Sequence, residues 1–350
     1  MLKINKLFAI AMMACTLLGS TKVLAQNNSN VEINTLRLEA RADFFYDNES
    51  DEYGFAGRYF NLHMGGKLSD KVSYYFRQRI IANPGSSQFF DNTDFLHISY
   101  MPNQNWRFRL GKDAIAVGGF EYDAAPIDVY YNSISWDRFY CFQLGAAATY
   151  FTNDGKHAFT ANIANSPNNG FANFPWNSLS YNLLWSGNMG HWQTLYSVNL
   201  FEREHHAACD NLIYVALGNR VAFDNWSLYV DLMAHFADND ICYQGVVARF
   251  DYHLNNNWNL FAKTSYEHNA GNPADLFFFG KGTRTVAGVG FENHPAYCPS
   301  LRYHALVAYN EMDSYIYSPT WSYPYGKGVM INMGISWNID CMKAKRVLGI

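Results

Sequence analysis

In this chain of 350 residues, Asp, Glu, Lys and Arg make up only 16% while Phe, Trp and Tyr make up 17%, whereas an ordinary soluble domain is about a quarter charged. Beyond residue 25 no apolar run approaches the ~18 residues that a membrane-crossing helix needs, which excludes a helical membrane protein. So much aromatic and β-branched surface excludes disorder as well. What remains is a large β protein, either soluble or inserted in a membrane as a barrel.

The N-terminus sets the compartment. Lys3 and Lys6 precede a short apolar core from Leu7 to Gly19, which ends in the small-residue site Val23-Leu24-Ala25. This is the pattern of a cleaved secretory signal over residues 1–25, with Gln26 as the first mature residue. Cys15 offers an alternative lipid-attachment reading, but Met12-Met13-Ala14 is a poor approach to such a site and the Ala25 site is better formed. Losing Lys3, Lys6 and Lys22 makes the net charge more negative than the −4 of the full chain. A nucleic-acid-binding protein shows the opposite balance, so no nucleic-acid partner is expected.

Residues 26–34 read as a periplasmic lead, and a two-residue period then takes over. Leu36, Leu38, Ala40, Ala42, Phe44 and Tyr46 alternate with Arg37, Glu39, Arg41, Asp43 and Phe45, the signature of a strand with one apolar and one polar face. The same alternation recurs over 59–68, 72–80, 93–100, 106–110, 139–150, 157–163, 179–185 and 192–200. It continues over 212–221, 226–234, 246–254, 258–266, 285–291, 301–309 and 329–337. Connections alternate too. Turns such as Ser69-Asp70-Lys71, Asn153-Asp154-Gly155 and Asn255-Asn256-Asn257 are short, and 293–300 is somewhat longer. Those at the other end, 48–57, 83–92, 113–138, 165–177, 268–283 and 311–327, are mostly long. The pattern predicts an all-β fold: a transmembrane antiparallel β-barrel of about sixteen strands over 35–338, with short periplasmic turns, long extracellular loops and a periplasmic tail over 339–350. The expected location is the bacterial outer membrane, with its lipid as the surroundings.

Four short turns are followed at once by tryptophan, giving Trp106, Trp192, Trp226 and Trp258 on the apolar parity of their strands, with Trp337 alike near the end of the last. Amphipathic indole rings prefer the membrane interface, so these five are expected to form a periplasmic girdle. The apolar parity carries a few neutral polar residues, such as Gln78, Thr194, Asn219 and Thr264, and is read as free of Lys, Arg, Asp and Glu. That fits a lipid-facing surface, where a midplane arginine costs ~2 to 4 kcal/mol.

The other parity carries the charge. Arg37, Arg41, Lys67, Arg77, Arg79, Arg107, Arg109, Arg220, Arg249, Lys263, Arg284 and Arg302 outnumber Glu39, Asp43, Asp231, Asp251, Glu267 and Glu292. A basic stripe over Arg37/Arg41, Arg77/Arg79 and Arg107/Arg109 would focus an attractive field for anions. An unselective polar lumen accounts for the same residues equally well. The loop 113–138 holds Asp113, Glu121, Tyr122, Asp123, Asp128, Tyr130, Tyr131 and Asp137. Folded inward it would narrow the lumen and set carboxylates opposite the arginines; left outside it is a solvated loop, and the sequence leaves both open.

The runs LRLEARADFFYD, GGKLSDKVSYYFRQR, WRFRLGK and GGFEYDAAPID resemble the phosphate-selective porin O and P family, in the form common among Bacteroides-type outer-membrane proteins. The resemblance implies a sixteen-stranded channel, a homotrimer, a third loop folded into the lumen and a basic pathway for small anionic or neutral solutes. Arg77, Arg79, Arg107, Arg109 and Lys112 would line that pathway, with Glu121 and Asp123 at the constriction. Two departures stand out. The name-giving members resemble a funnel of clustered lysines, whereas the loops here offer scattered ones such as Lys281 and Lys327. The chain also runs on from Asp340 to Ile350 instead of ending on an aromatic residue, unless Trp337 takes that place.

Two other function classes compete. A sugar or oligosaccharide uptake channel would use the inward Tyr59, Tyr75, Tyr214 and Tyr229. A barrel enzyme would use Glu202, Glu204, His205 and His206, or Asp231 with His235, but no Gly-x-Ser-x-Gly or His-Glu-x-x-His string is present, and none is expected. The cysteines after residue 25 match no metal-ligand spacing; Cys209 with Cys242 and Cys298 with Cys341 are the pairs placed near enough to form disulfides. No cofactor and no metal is implied.

Overall fold

The computed structural model describes residues 31–48, 51–80, 89–138, 140–167, 178–202, 211–237, 240–270, 281–312 and 327–343. The signal region therefore lies outside the described residues. The first strands are β1 (Glu32–Asp47), β2 (Glu52–Lys67), β3 (Val72–Arg79), β4 (Thr93–Asn103), β5 (Trp106–Ala114), β6 (Phe142–Phe151), β7 (His157–Asn165) and β8 (Leu179–Met189). They continue as β9 (Trp192–Phe201), β10 (Leu212–Ala222), β11 (Trp226–Ala237), β12 (Asp240–His253), β13 (Trp258–Asn269), β14 (Gly282–Asn293), β15 (Leu301–Met312) and β16 (Gly328–Asp340). Each strand pairs with the next, and β1 pairs antiparallel with β16, from Arg37 opposite Asp340 to Asp47 opposite Met330, closing the sixteen-stranded barrel. Closure leaves no sheet edge, the condition for a β structure to sit in hydrocarbon.

Local chemistry sets the turns. Asn103 Oδ1 accepts the backbone N–H groups of Asn105 and Trp106, and Asn255 Oδ1 does the same for Asn257 and Trp258. The asparagine carboxamide thus supplies acceptors that a tight turn denies its own N–H groups. Each such turn delivers a tryptophan to the base of the rising strand. Trp106, Trp192, Trp258 and Trp337 stand exposed on the outer face, and Trp226 packs between Phe223 and Phe250, with centroids 4.8 Å and 6.0 Å away.

The two faces part as alternation requires. In β8 the outward Leu183 is 64% exposed, while its neighbour Asn182 is buried and hydrogen-bonded to Asn162 and Ser180. Strict alternation fails at two acidic or basic positions, and a β-bulge lies at each. Counting back from the exposed Leu96 and Ile98 puts Asp94 on the outer parity, against the expectation of a charge-free outer face. The register of β3 against β4 shifts between Arg77 and Gln78, and the Asp94 side chain is buried between Arg77 and Arg79 instead of meeting lipid. The register of β1 against β2 shifts between Arg41 and Ala42, leaving Arg58 as the extra residue, its Nε 3.7 Å from inward-facing Asp43. An extra residue in one strand re-aims a side chain; here it does so for two charges.

Cys298 and Cys341 are not joined. Cys298 Sγ lies 3.4 Å from Ser300 Oγ, and Cys341 Sγ faces the Ile339 carbonyl. Cys242 Sγ donates to the His235 carbonyl, and Cys209 lies outside the described residues.

The two-faced wall makes a direct prediction. Leu183→Arg is expected to lower stability in lipid vesicles by ~2 to 4 kcal/mol, measured by denaturant titration. Leu184→Arg, one residue on and facing the lumen, is expected to cost far less.

Candidate functional site: the lumen and its third loop

The segment following β5 is bonded to inward-facing groups on β1 and on the strands from β9 to β15. Only a segment inside the barrel can reach them all. Its first turn, α1 (Phe120–Asp123), is approached through Gly118, whose N–H donates to Ser197 Oγ, and Gly119, whose N–H donates to the Leu195 carbonyl. Asp231 on β11 then accepts the N–H of Phe120 on Oδ1 and that of Glu121 on Oδ2, both at 2.8 Å. Gly119 has φ +98°, and a Cβ on the facing Gly218 of β10 would lie 2.8 Å from Gly119 Cα, so the loop backbone packs directly on β10 at the one position there without a side chain.

Further on, the loop is held by charge and by aromatic stacking. Glu121 is buried; its Oε1 accepts from Lys263 Nζ on β13 at 2.5 Å and from the Ser133 N–H. Through the short 3₁₀ turn Pro126–Asp128, the Ile127 carbonyl accepts from both Arg41 and Arg302, and Asp128 takes the Arg302 guanidinium at 2.5 Å. Tyr130 stacks flat on Phe261, 5.3 Å between centroids, and donates to Glu292 at 2.6 Å. Tyr131 donates to the Lys263 carbonyl. At α2 (Ile134–Arg138), Glu267 accepts the Ile134 N–H and the Tyr243 hydroxyl, and Arg284 reaches both the Asn132 carbonyl and Glu267. The loop and the β9–β15 wall thus form one cross-linked body.

These bonds redistribute the charges read from the sequence. Arg41 is buried on Asp43 and the loop carbonyls. Arg249 is taken by Asp251, and Arg302 by Asp128 with Glu292 nearby. Lys112 is fully buried, its Nζ donating to the Phe90 carbonyl at 2.5 Å, so its charge is not presented to the lumen surface. Of the loop acids, Glu121 and Asp128 are spent on the wall behind the loop rather than set opposite the arginine stripe, while Asp123 is exposed and Tyr122 half-buried. Asp137 lies outside the described side chains. Tyr214 packs on His235 and beside Ser135 of the loop, and Tyr229 lies 6.1 Å from Phe120. These two rings serve the loop rather than an aromatic track.

On β1 to β5 the basic groups keep more access. Arg37 bonds Glu39 with its side chain 36% exposed, and Arg79 shares Asp94 with Arg77 while remaining 37% exposed. Arg109 is paired with Asp113. Arg107 has no carboxylate within ion-pair distance among the described residues; its guanidinium lies 5.1 Å over the Phe151 ring. Arg220 on β10 donates to Ser227 Oγ at 3.3 Å and has no carboxylate within ion-pair distance among the described residues. Asp94, Arg58 and the clamp on Asp231 escape the sequence reading because a bulge or a distant loop decides each one. Of the enzyme candidates, His235 is buried between Tyr214 and Tyr243, and Asp231 is occupied by loop N–H groups. Glu202 accepts the Leu179 N–H; Glu204, His205 and His206 lie outside the described residues. No group of three or more His, Cys, Asp or Glu able to hold a metal ion occurs among the described residues.

A closed sixteen-stranded barrel with a charged interior and an inward-folded third loop defines the architecture of an outer-membrane porin. Residues 31–181 match the family model of phosphate-selective porin O and P. No curated protein matches the chain. Among solved structures, an anion-selective porin from Comamonas acidovorans is similar with a TM-score of 0.64 at 10% identity, covering 89% of this chain and 100% of that one. The trimer form of OmpT of Vibrio cholerae gives 0.62 at 10% identity, covering 88% and 99%. The outer membrane channel DcaP of Acinetobacter baumannii gives 0.62 at 11%, covering 88% and 97%. At these identities the likeness is one of fold.

The buried Glu121–Lys263 pair should fix the loop's position. Removing one partner of a buried ion pair costs about 3 to 5 kcal/mol because the other charge is stranded. Glu121→Gln or Lys263→Met is therefore expected to loosen the loop and give larger, noisier single-channel currents. The double variant strands neither charge and should lie closer to the wild type than either single one, as read in planar bilayers.

Proposed function

We propose that the protein is a passive diffusion channel of the outer membrane that favours small anions, with its selective surface on the β1–β5 side of the lumen. One observation carries this reading: the loop's Glu121 and Asp128 are bonded to the β9–β15 wall, while Arg37, Arg79, Arg107 and Arg109 line the other side. Arg37 and Arg79 keep more than a third of their side-chain surface accessible there. In a lumen walled by hydrocarbon, even a few incompletely neutralised guanidinium groups bias the field toward anions. The anion-selective neighbour from Comamonas acidovorans is in keeping with this.

The chain has no enzymatic activity of its own. Three copies assemble, as in the trimer form of OmpT, and the five tryptophans seat the periplasmic rim in the interface with lipid. Residues 1–25 direct export, 26–34 and 339–350 lie in the periplasm, and the loop 113–138 forms the constriction, where Asp123 is exposed and Tyr122 and Asp128 are half-buried.

In a potassium chloride gradient the wild-type protein is expected to give a reversal potential of anion sign. Arg79→Gln with Arg107→Gln should lower the chloride-to-potassium permeability ratio several-fold. A cation-signed potential in the wild type, or an unchanged ratio in the double variant, would overturn the reading.

A further inference from the structure

The β2–β6 side of the lumen carries rings beside its arginines. Tyr75 lies 5.6 Å from Phe95, 6.0 Å from His97 and 6.1 Å from His63, all on inward positions. Tyr75, Phe95 and His97 are each half-buried, so part of every ring faces the lumen. The strip is fixed by the fold. Tyr75 sits opposite Gly65 of β2, where a Cβ would come within 3.0 Å of its ring. Its hydroxyl is anchored 2.6 Å from His63 Nδ1.

Beside this strip stands an arginine pair that shares one carboxylate. Arg77 Nε and Arg79 Nε both bond Asp94, at 2.9 Å each, so two positive charges are met by one negative. Arg77 is wedged between Phe95 and Phe142, its guanidinium 4.4 Å and 4.9 Å from their centroids. It is only 6% exposed, yet its Nη2 has no hydrogen-bond partner among the described residues. A buried guanidinium nitrogen without an acceptor is costly and leaves positive charge unbalanced just behind the wall. The more accessible Arg79 stands two residues along the same strand.

We propose that this wall is a binding site for small carboxylates that carry a flat aromatic body, of which benzoate is the simplest. The carboxylate oxygens are taken by the outer nitrogens of the accessible Arg79, where a planar fork fits a carboxylate, with the charge of buried Arg77 behind it, and the ring lies against Phe95 and Tyr75. A compact inorganic anion uses the arginines but leaves the rings idle; a neutral sugar leaves the charge idle. The combination therefore selects solutes with both features. The inference rests on the reading of the lumen as an anion channel and names the class of solute that this channel favours.

The test is block of the chloride current through the intact wild-type protein in planar bilayers by added benzoate, acetate or inorganic phosphate. Benzoate is expected to half-block at a concentration about tenfold below either of the others. Phe95→Leu should bring benzoate close to acetate, and Arg79→Gln should weaken block by benzoate several-fold. Equal block by the three anions, stronger block by phosphate, or an advantage of benzoate that survives Phe95→Leu overturns the aromatic-carboxylate site. The wild-type comparison decides even where a variant does not assemble. The reversal potential in chloride is recorded on the same channels. An anion-signed potential with equal block removes only this site, whereas a cation-signed potential removes the anion channel itself.

Discussion

A strand that crosses a bilayer has no water on its outer side, so its backbone N–H and C=O groups must all be taken up by the strands beside it. In this protein the demand is met by the pairing of β1 with β16, which returns the sheet to its beginning over eleven residues of register from Arg37 to Asp47. Everything else follows from that closure. Once the wall is sealed, each strand separates two solvents, and its residues are sorted by parity into those that meet lipid and those that meet the lumen. Leu183 and Asn182, adjacent in sequence, live in different media for this reason.

The sealed wall also creates an interior in which charge is hard to leave bare. Field lines are confined by hydrocarbon, so a lumen crowded with arginines must be largely neutralised from within. The third loop does much of this, carrying Glu121 to Lys263 and Asp128 to Arg302, while wall carboxylates such as Asp43, Asp251 and Glu267 supply the rest. Because the loop and, apart from Asp43 on β1, these carboxylates lie on the β9–β15 side, the imbalance that remains is displaced to the opposite wall. There, Arg77 and Arg79 share a single aspartate among half-buried rings. Position of the loop and polarity of the lumen are one problem with one solution.

β-Bulges have a particular part in this arrangement. A strict two-residue period would send Asp94 into lipid and give Arg58 no regular place. One extra residue in β4 and one in β2 bring both into the lumen, and the first of these is what places a carboxylate between Arg77 and Arg79. A departure from regularity in the sheet thereby sets the local charge of the wall.

The amino-acid sequence by itself determined the number of strands, their two-faced character, the division into short turns and long loops, and the base-of-strand tryptophans. These are local properties, set by side chains that repeat every second residue and by asparagines that accept the N–H groups of their own turn. Only the tertiary structure decided which arginines keep an accessible charge, that Lys112 is buried against Phe90, and that Asp94 turns inward. It also decided that the loop after β5 lies inside the barrel, clamped by Asp231 more than a hundred residues away. Those outcomes depend on groups that meet only after the barrel closes: a carboxylate on one wall, an N–H on a loop, a guanidinium across the lumen. Periodicity places each residue on a face, but it does not say which partner waits on the other side.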